Sequence, residues 1–250
     1  MIIDTHVHMC DGIFDEDRGE VIRRAAAAGV RRMIAVGETL EDAGRNLDLA
    51  ERHPELAAAA GLYPVGADMH AAGQMHEFIR KNRNRLAAIG EVGLDFRMAR
   101  DDEEKLRQKE ILEGFAALSL ELDLPLNVHS RSAGRHAVEL LLQAGAKRVH
   151  LHAFDGKAGA AMPAADAGFF FSIPPSVVRS RQKQKLVARL PLSCLLLETD
   201  SPVLGPDPEK RNEPANCTVA LEAVAGLKNV STEHAAEVIY ENTLRLYGDI

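Results

Sequence analysis

The sequence predicts a single (β/α)8 barrel, TIM-like in architecture, spanning residues 1–250, with its chemistry gathered on the rim where the strands end. Three observations predict it. Short apolar runs alternate with longer amphipathic stretches from one end of the chain to the other, giving eight strand-helix pairs. Most runs are near-continuous in Ile, Val, Leu, Ala or Phe, as parallel strands covered by helices require. Several end in a side chain that can bind a metal, which is where barrels of this type keep their working residues. The alternative is a doubly wound open sheet, which needs a reversal of strand order that a sequence does not display.

The first strand, Ile2 to His6, leads into the triplet His6-Val7-His8, and the helical pattern Glu16 to Ala28 follows it, stopped by Gly29. The second strand is Met33 to Val36, with Leu40 to Arg52 as its helix. The third, Leu56 to Leu62, opens onto Tyr63-Pro64. The fourth, Leu86 to Glu91, precedes the long helix Asp101 to Leu122. Pro125 to His129 is the fifth, and its helix, Gly134 to Ala144, is closed by Gly145. Arg148 to His152, Phe169 to Ile173 and Cys194 to Glu198 complete the set. No linker or composition shift divides the chain.

Bulk properties set limits on function. An apolar share of 46% and a charged share of 27% describe an ordinary globular chain. A net charge of −7 argues against wrapping long nucleic acid, which needs a broad basic face, but leaves room to grip one strand end. Three cysteines without C-x-x-C spacing point away from disulfides and thiolate zinc and toward a reducing, cytoplasmic setting. No secretory leader is read at the start, and no apolar run approaches the ~20 residues that span a bilayer. No membrane and no stable protein partner is expected.

A His-x-His triplet arises by chance in roughly four of ten chains with this His content, so His6 and His8 carry little alone. Four other strand ends change that. Glu91, His129, His152 and Asp200 fall at the ends of the fourth, fifth, sixth and eighth strands, and a barrel brings all six residues to one rim. His53, His70, His76, His136 and His234 lie in helices or loops and are read as surface residues. His150, two residues before His152, is expected deeper, behind the ligands or in the core.

The stretches Asp4-Thr-His-Val-His8, Gly90-Glu-Val-Gly-Leu-Asp-Phe96, Pro125-Leu-Asn-Val-His-Ser-Arg131, His152-Ala-Phe-Asp-Gly156 and Glu198-Thr-Asp-Ser-Pro202 resemble the successive motifs of the TatD family of metal-dependent deoxyribonucleases. Gln108 and Arg211-Asn-Glu-Pro214 also resemble it. The resemblance implies two divalent cations, one on His6, His8 and Asp200, the other on His129 and His152, with Glu91 bridging. It also implies phosphodiester cleavage of DNA at a strand end, with single-stranded DNA as the substrate. Two departures stand out: Tyr63 where the family usually has His, and Val203 where an aromatic is usual. Both are expected to alter substrate contacts and not the metal ligands.

Such a site meets the needs of phosphodiester hydrolysis. Two cations ~3.5–4 Å apart bind phosphate oxygens, activate a water and stabilise the leaving oxygen. Glu91 and Asp200 are the expected catalytic carboxylates, with Asp200 accepting the water's proton. Four imidazoles with two carboxylates favour Zn²⁺ or Mn²⁺, while Mg²⁺ needs waters to complete its shell. Arg131, Arg211 and Tyr63 are the expected substrate contacts, with Arg97 and Arg100 as further cations. The run from Arg179 to Lys185 is read as a solvated helix face, with a phosphate-facing patch as the alternative. Competing functions are a metal-dependent esterase or amidohydrolase, such as a D-aminoacyl-tRNA deacylase, and a metal-binding barrel without catalysis.

Overall fold

A computed structural model describes residues 1–250. Eight parallel strands lie side by side in chain order: β1 Ile2–Val7, β2 Val30–Ala35, β3 Leu56–Ala60, β4 Ala88–Gly93, β5 Leu126–His129, β6 Val149–Leu151, β7 Phe170–Ile173 and β8 Leu195–Leu197. That sequential order excludes the doubly wound sheet, whose order must reverse. β8 returns to β1 at the rim, where Asp200 N–H donates to the His6 carbonyl at 2.9 Å and His8 N–H donates to the Ser201 carbonyl at 2.9 Å. Lower down, Thr5 Oγ1 donates to the Leu197 carbonyl at 2.8 Å.

The outer layer holds α1 Arg18–Ala27, α2 Leu40–Arg52, α3 Met69–Asn82, α4 Asp102–Leu122, α5 Gly134–Gln143, α6 Ala158–Asp166, α7 Arg181–Arg189, α8 Cys217–Lys228 and α9 Thr232–Tyr247. Local chemistry sets their starts. Thr39 and Asp42 form a capping box on α2, Asp101 caps α4, and Ser180 caps α7. α1 starts two residues later than its sequence pattern suggests, with Asp17 at the N-cap. Gly29 and Gly145 follow α1 and α5 at φ of 90° and 67°, the left-handed conformation expected of helix stops.

Strand residues alternate between two environments. Val7, Met33, Ile89, Leu126, Leu151 and Phe171 point outward into one apolar cluster with the helices. Inward, a smaller cluster of Ile34, Val36, Ala59, Ala88 and Leu196 is joined by Leu246 and Tyr247 from the end of α9. The floor of the barrel is therefore closed by the last helix. Arg148, just before β6, holds that helix end by donating to the Leu246 carbonyl.

Two glycines let strands approach closely at the opposite end. A Cβ on Gly93 (φ 150°) would fall 2.1 Å from the His129 carbonyl oxygen, and one on Gly61 would fall 2.4 Å from the Glu91 carbonyl oxygen. Only glycine allows that contact. It draws the ends of β3, β4 and β5 together, which sets Glu91 beside His129.

Candidate metal centre

His6 and His8 lie two residues apart on β1 and its extension, so both side chains face the barrel mouth. Their Nε2 atoms are 3.3 Å apart, and Asp200 Oδ1 lies 3.4 Å from one and 3.3 Å from the other. Asp200 reaches them from a backbone at φ 54°, just past β8. On the other side His129 Nδ1 and His152 Nε2 are 3.1 Å apart. Glu91 stands between the two groups. Its Oε1 is 2.6 Å from His129 Nδ1 and 3.0 Å from His152 Nε2, while its Oε2 is 3.7 Å from His6 Nε2 and 3.5 Å from His8 Nε2. All six rim residues singled out in the sequence come together here.

The electrostatics of this cluster suit cations. Burial alone would raise the Glu91 pKa, yet the adjacent His152 and His129 hold it well below the ordinary carboxylate range. Burial, then the charge of His152, pushes His6 well below the ordinary histidine value. Burial also opposes charge on His8, but the hydrogen bond to Asp200 and the Glu91 carboxylate outweigh it and raise its pKa to about 9. His129 and His152 are raised as well, because Glu91 overcomes the cost of burial. Two imidazole pairs at 3.1–3.3 Å, each facing carboxylate oxygens, crowd nitrogen and oxygen donors into one place where a cation can take over from protons. Buried His152 Nδ1 has no hydrogen-bond partner. His6 with His8 and Asp200, and Glu91 with His129 and His152, each bring three ligand atoms within 4.8 Å of one another, and the donor types fit Zn²⁺ or Mn²⁺.

Behind these residues stand groups to which the sequence reading gave no role. Asp95 Oδ2 is 3.3 Å from His129 Nε2 and accepts the Tyr63 hydroxyl at 2.8 Å. Glu198 Oε2 is 3.5 Å from His152 Nδ1. Asn127 Oδ1 takes His6 Nδ1 at 2.9 Å. Asp4 accepts the Thr199 N–H at 2.9 Å and the His6 N–H at 3.2 Å, and its burial pushes its carboxyl up to about 8. Asp95 and Glu198 sit inside motifs already singled out, Gly90 to Phe96 and Glu198 to Pro202. Acidic residues so close to candidate ligands were the signal available. His150 is fully buried between Tyr247 and Ser172, matching its expected deeper position.

A cleft of about 460 Å³ opens above the cluster, lined in part by Glu38, Tyr63, Arg131, Lys183 and Val203. Arg131 is exposed on its wall. Lys183 reaches it from α7 and donates to the Ala153 carbonyl at 3.0 Å, so the basic run is not wholly a solvated face. Tyr63 lines the cleft, but its ring also meets the edge of His129 with centroids 5.0 Å apart. The expectation that this departure leaves the rim histidines untouched is therefore corrected. Arg211 stands apart from the cleft. It pairs with Asp17 at 2.6 Å and Glu213 at 3.3 Å, lies over the Phe14 ring at 4.9 Å, and does not line the cleft. Arg100 is spent on Glu104 at 2.9 Å. His76 is half-buried against Phe115 and is not the surface residue expected.

Four histidines and two acids on the C-terminal rim of a parallel eight-stranded barrel define a class, the metal-dependent hydrolases built on a TIM-type barrel. Residues 3–248 match the TatD related DNase family, and the chain belongs to that family. It is 42% identical over 261 residues to the human deoxyribonuclease TATDN3, covering 98% of this chain and 94% of that one. It is 34% identical to YabD of Bacillus subtilis (strain 168), an uncharacterized metal-dependent hydrolase, with 99% of each chain covered. The crystal structure of YjjV, a TatD homolog from Escherichia coli K12, superposes with a TM-score of 0.91 at 28% identity, covering 100% of this chain and 98% of that one. No helix is long and apolar enough to cross a membrane.

Proposed function

We propose that residues 1–250 work as one TatD-type domain that hydrolyses phosphodiester bonds at the ends of DNA strands with two divalent cations. His6, His8 and Asp200 would hold one cation and His129 and His152 the other, with Glu91 shared. The observation that carries this reading is the Glu91 carboxylate, which turns one oxygen to each histidine pair. Bound divalent cations supply Lewis acidity toward the phosphate and lower the pKa of an attacking water. The Asp200 carboxylate, at the mouth beside His6 and His8 with one oxygen turned to them, would take the water's proton. Exposed Arg131 binds a phosphate of the substrate in the cleft, and Lys183 adds positive charge to the same wall. Three buried, unpaired cysteines support work in a reducing compartment such as the cytosol.

The test is metal-stripped protein reloaded with Mn²⁺ or Zn²⁺ and offered labelled single-stranded DNA, RNA and D-aminoacyl-tRNA. Metal-dependent loss of terminal nucleotides from DNA supports the reading. Release of the amino acid from charged tRNA with intact DNA would replace it with the esterase reading.

A further inference from the structure

A line of buried side chains joins the two halves of the site by way of the barrel floor. Asn127 Nδ2 lies 3.0 Å from the Thr5 carbonyl, which only accepts, so the amide is oriented with Oδ1 toward His6 Nδ1. His6 must then carry its proton on Nδ1 and turn its Nε2 lone pair toward His8, Glu91 and Asp200. The other Asn127 Nδ2 hydrogen is directed at the Tyr247 hydroxyl, 3.3 Å away. That hydroxyl is 2.6 Å from His150 Nδ1, and His150 Nε2 is 2.5 Å from Ser172 Oγ. Ser172 Oγ donates to Glu198 Oε2 at 2.6 Å, and the same oxygen stands 3.5 Å behind His152 Nδ1. The five intermediate residues are all buried. Every donor from Asn127 onward points the same way and ends on a carboxylate.

Tyr247 is the odd member of its surroundings. Its ring packs in the floor with Ile34, Val36 and Leu196, where a phenylalanine would fill the same space. Its hydroxyl meets the two polar residues that lead to opposite halves of the metal centre. We infer that Tyr247 is a positioning residue for both halves. Through Asn127 it fixes the ring of His6, and through His150 and Ser172 it places the Glu198 carboxylate, which faces His152 Nδ1 at an ion-pair distance of 3.5 Å. Partners that hold a ligating histidine typically change metal affinity 10–100-fold when removed. The inference rests on the two-cation reading above.

The test is Zn²⁺ titration of the full-length, metal-stripped protein against a chromophoric chelator, with thermal melting of the metal-free form alongside. Tyr247→Phe keeps the ring and is expected to weaken both Zn²⁺ equivalents about tenfold or more. Asn127→Ala and Ser172→Ala are each expected to weaken one equivalent, and not the same one. If Tyr247→Phe lowers the melting temperature but binds both equivalents as wild type does, the residue only packs the floor and the inference is overturned. Weakening of a single equivalent overturns it as well. Should Tyr247→Phe not fold, Ser172→Ala decides, since unchanged Zn²⁺ binding in that variant cuts the line. Wild-type protein that takes up one Zn²⁺ would instead overturn the two-cation reading, an outcome separate from the ratio of variant to wild type.

Discussion

The two halves of the metal centre use the same side-chain types and differ in what stands behind them. His129 and His152 each face a buried carboxylate on the far ring nitrogen, Asp95 and Glu198. His6 is backed by a neutral amide, Asn127, and His8 sits partly exposed at the mouth. A carboxylate behind an imidazole fixes the tautomer and makes the ring a stronger donor, while an amide fixes only the tautomer. The half on β5 and β6 is therefore built to keep its cation. The half on β1 and the end of β8, with Asp200 at the cleft wall, is built to meet water and substrate. The difference separates holding from reacting.

Asp200→Asn strikes the reacting half hardest. It keeps the shape and one coordinating oxygen but removes the charge and the base, so kcat on single-stranded DNA is expected to fall at least about a hundredfold even at saturating Mn²⁺. Circular dichroism should be unchanged, because a rim residue does not support the packed interior. Full recovery at high Mn²⁺ would leave Asp200 as a ligand alone and remove the catalytic distinction between the halves.

Asp95→Asn probes the holding half. It keeps an acceptor for the Tyr63 hydroxyl but turns the carboxylate behind His129 into an amide like that behind His6. One Zn²⁺ equivalent should weaken about 10–100-fold and the other should stay near wild type. Equal weakening of both in a chelator competition would mean that the backing groups do not distinguish the halves.

Protons compete with cations in both halves, because His129 and His152 are raised along with His8, and the reacting half shows it through one residue. In the metal-free protein His8 titrates at about 9, so at neutral pH it carries a proton that a cation must displace. Raising the pH from 7 toward 9 removes that competition. Apparent affinity at the reacting half should climb by up to about tenfold per pH unit and level off above 9. His8→Ala should flatten this climb, and calorimetry in buffers of different ionisation enthalpy would count the proton released.

How much of this was legible in the sequence depended on distance along the chain. The six rim residues were readable because strand ends mark one rim, and a period of two puts His6 and His8 on one face. Groups defined by contacts between strands were not. Asp95 backs His129 across 34 residues, Asn127 holds His6 across 121, and Tyr247 meets His150 across 97. A linear pattern flags Asp95 by its nearness to Glu91 but does not report which histidine it meets. Lys183 was obscured by the basic run around it, since only the start of α7 beside Ala153 turns that one side chain to the cleft.

Arg131 and Arg211 give the finest test, because the sequence treats them alike and the structure does not. Both follow strand ends, but Asp17, which neutralises Arg211, lies 194 residues earlier. Arg131 is exposed at the cleft wall beside the holding half. Arg131→Ala should raise KM for a DNA substrate severalfold with kcat and bound metal nearly unchanged, because it removes a contact made equally in ground and transition states. Arg211→Ala should leave KM alone. It breaks a solvent-screened ion-pair group with Asp17 and Glu213, and so should lower the melting temperature only slightly. A loss of metal in Arg131→Ala would make that arginine a support for His129. A rise in KM in Arg211→Ala would show that substrate reaches past the cleft to the loop after β8, extending the reacting half beyond the residues that line the mouth.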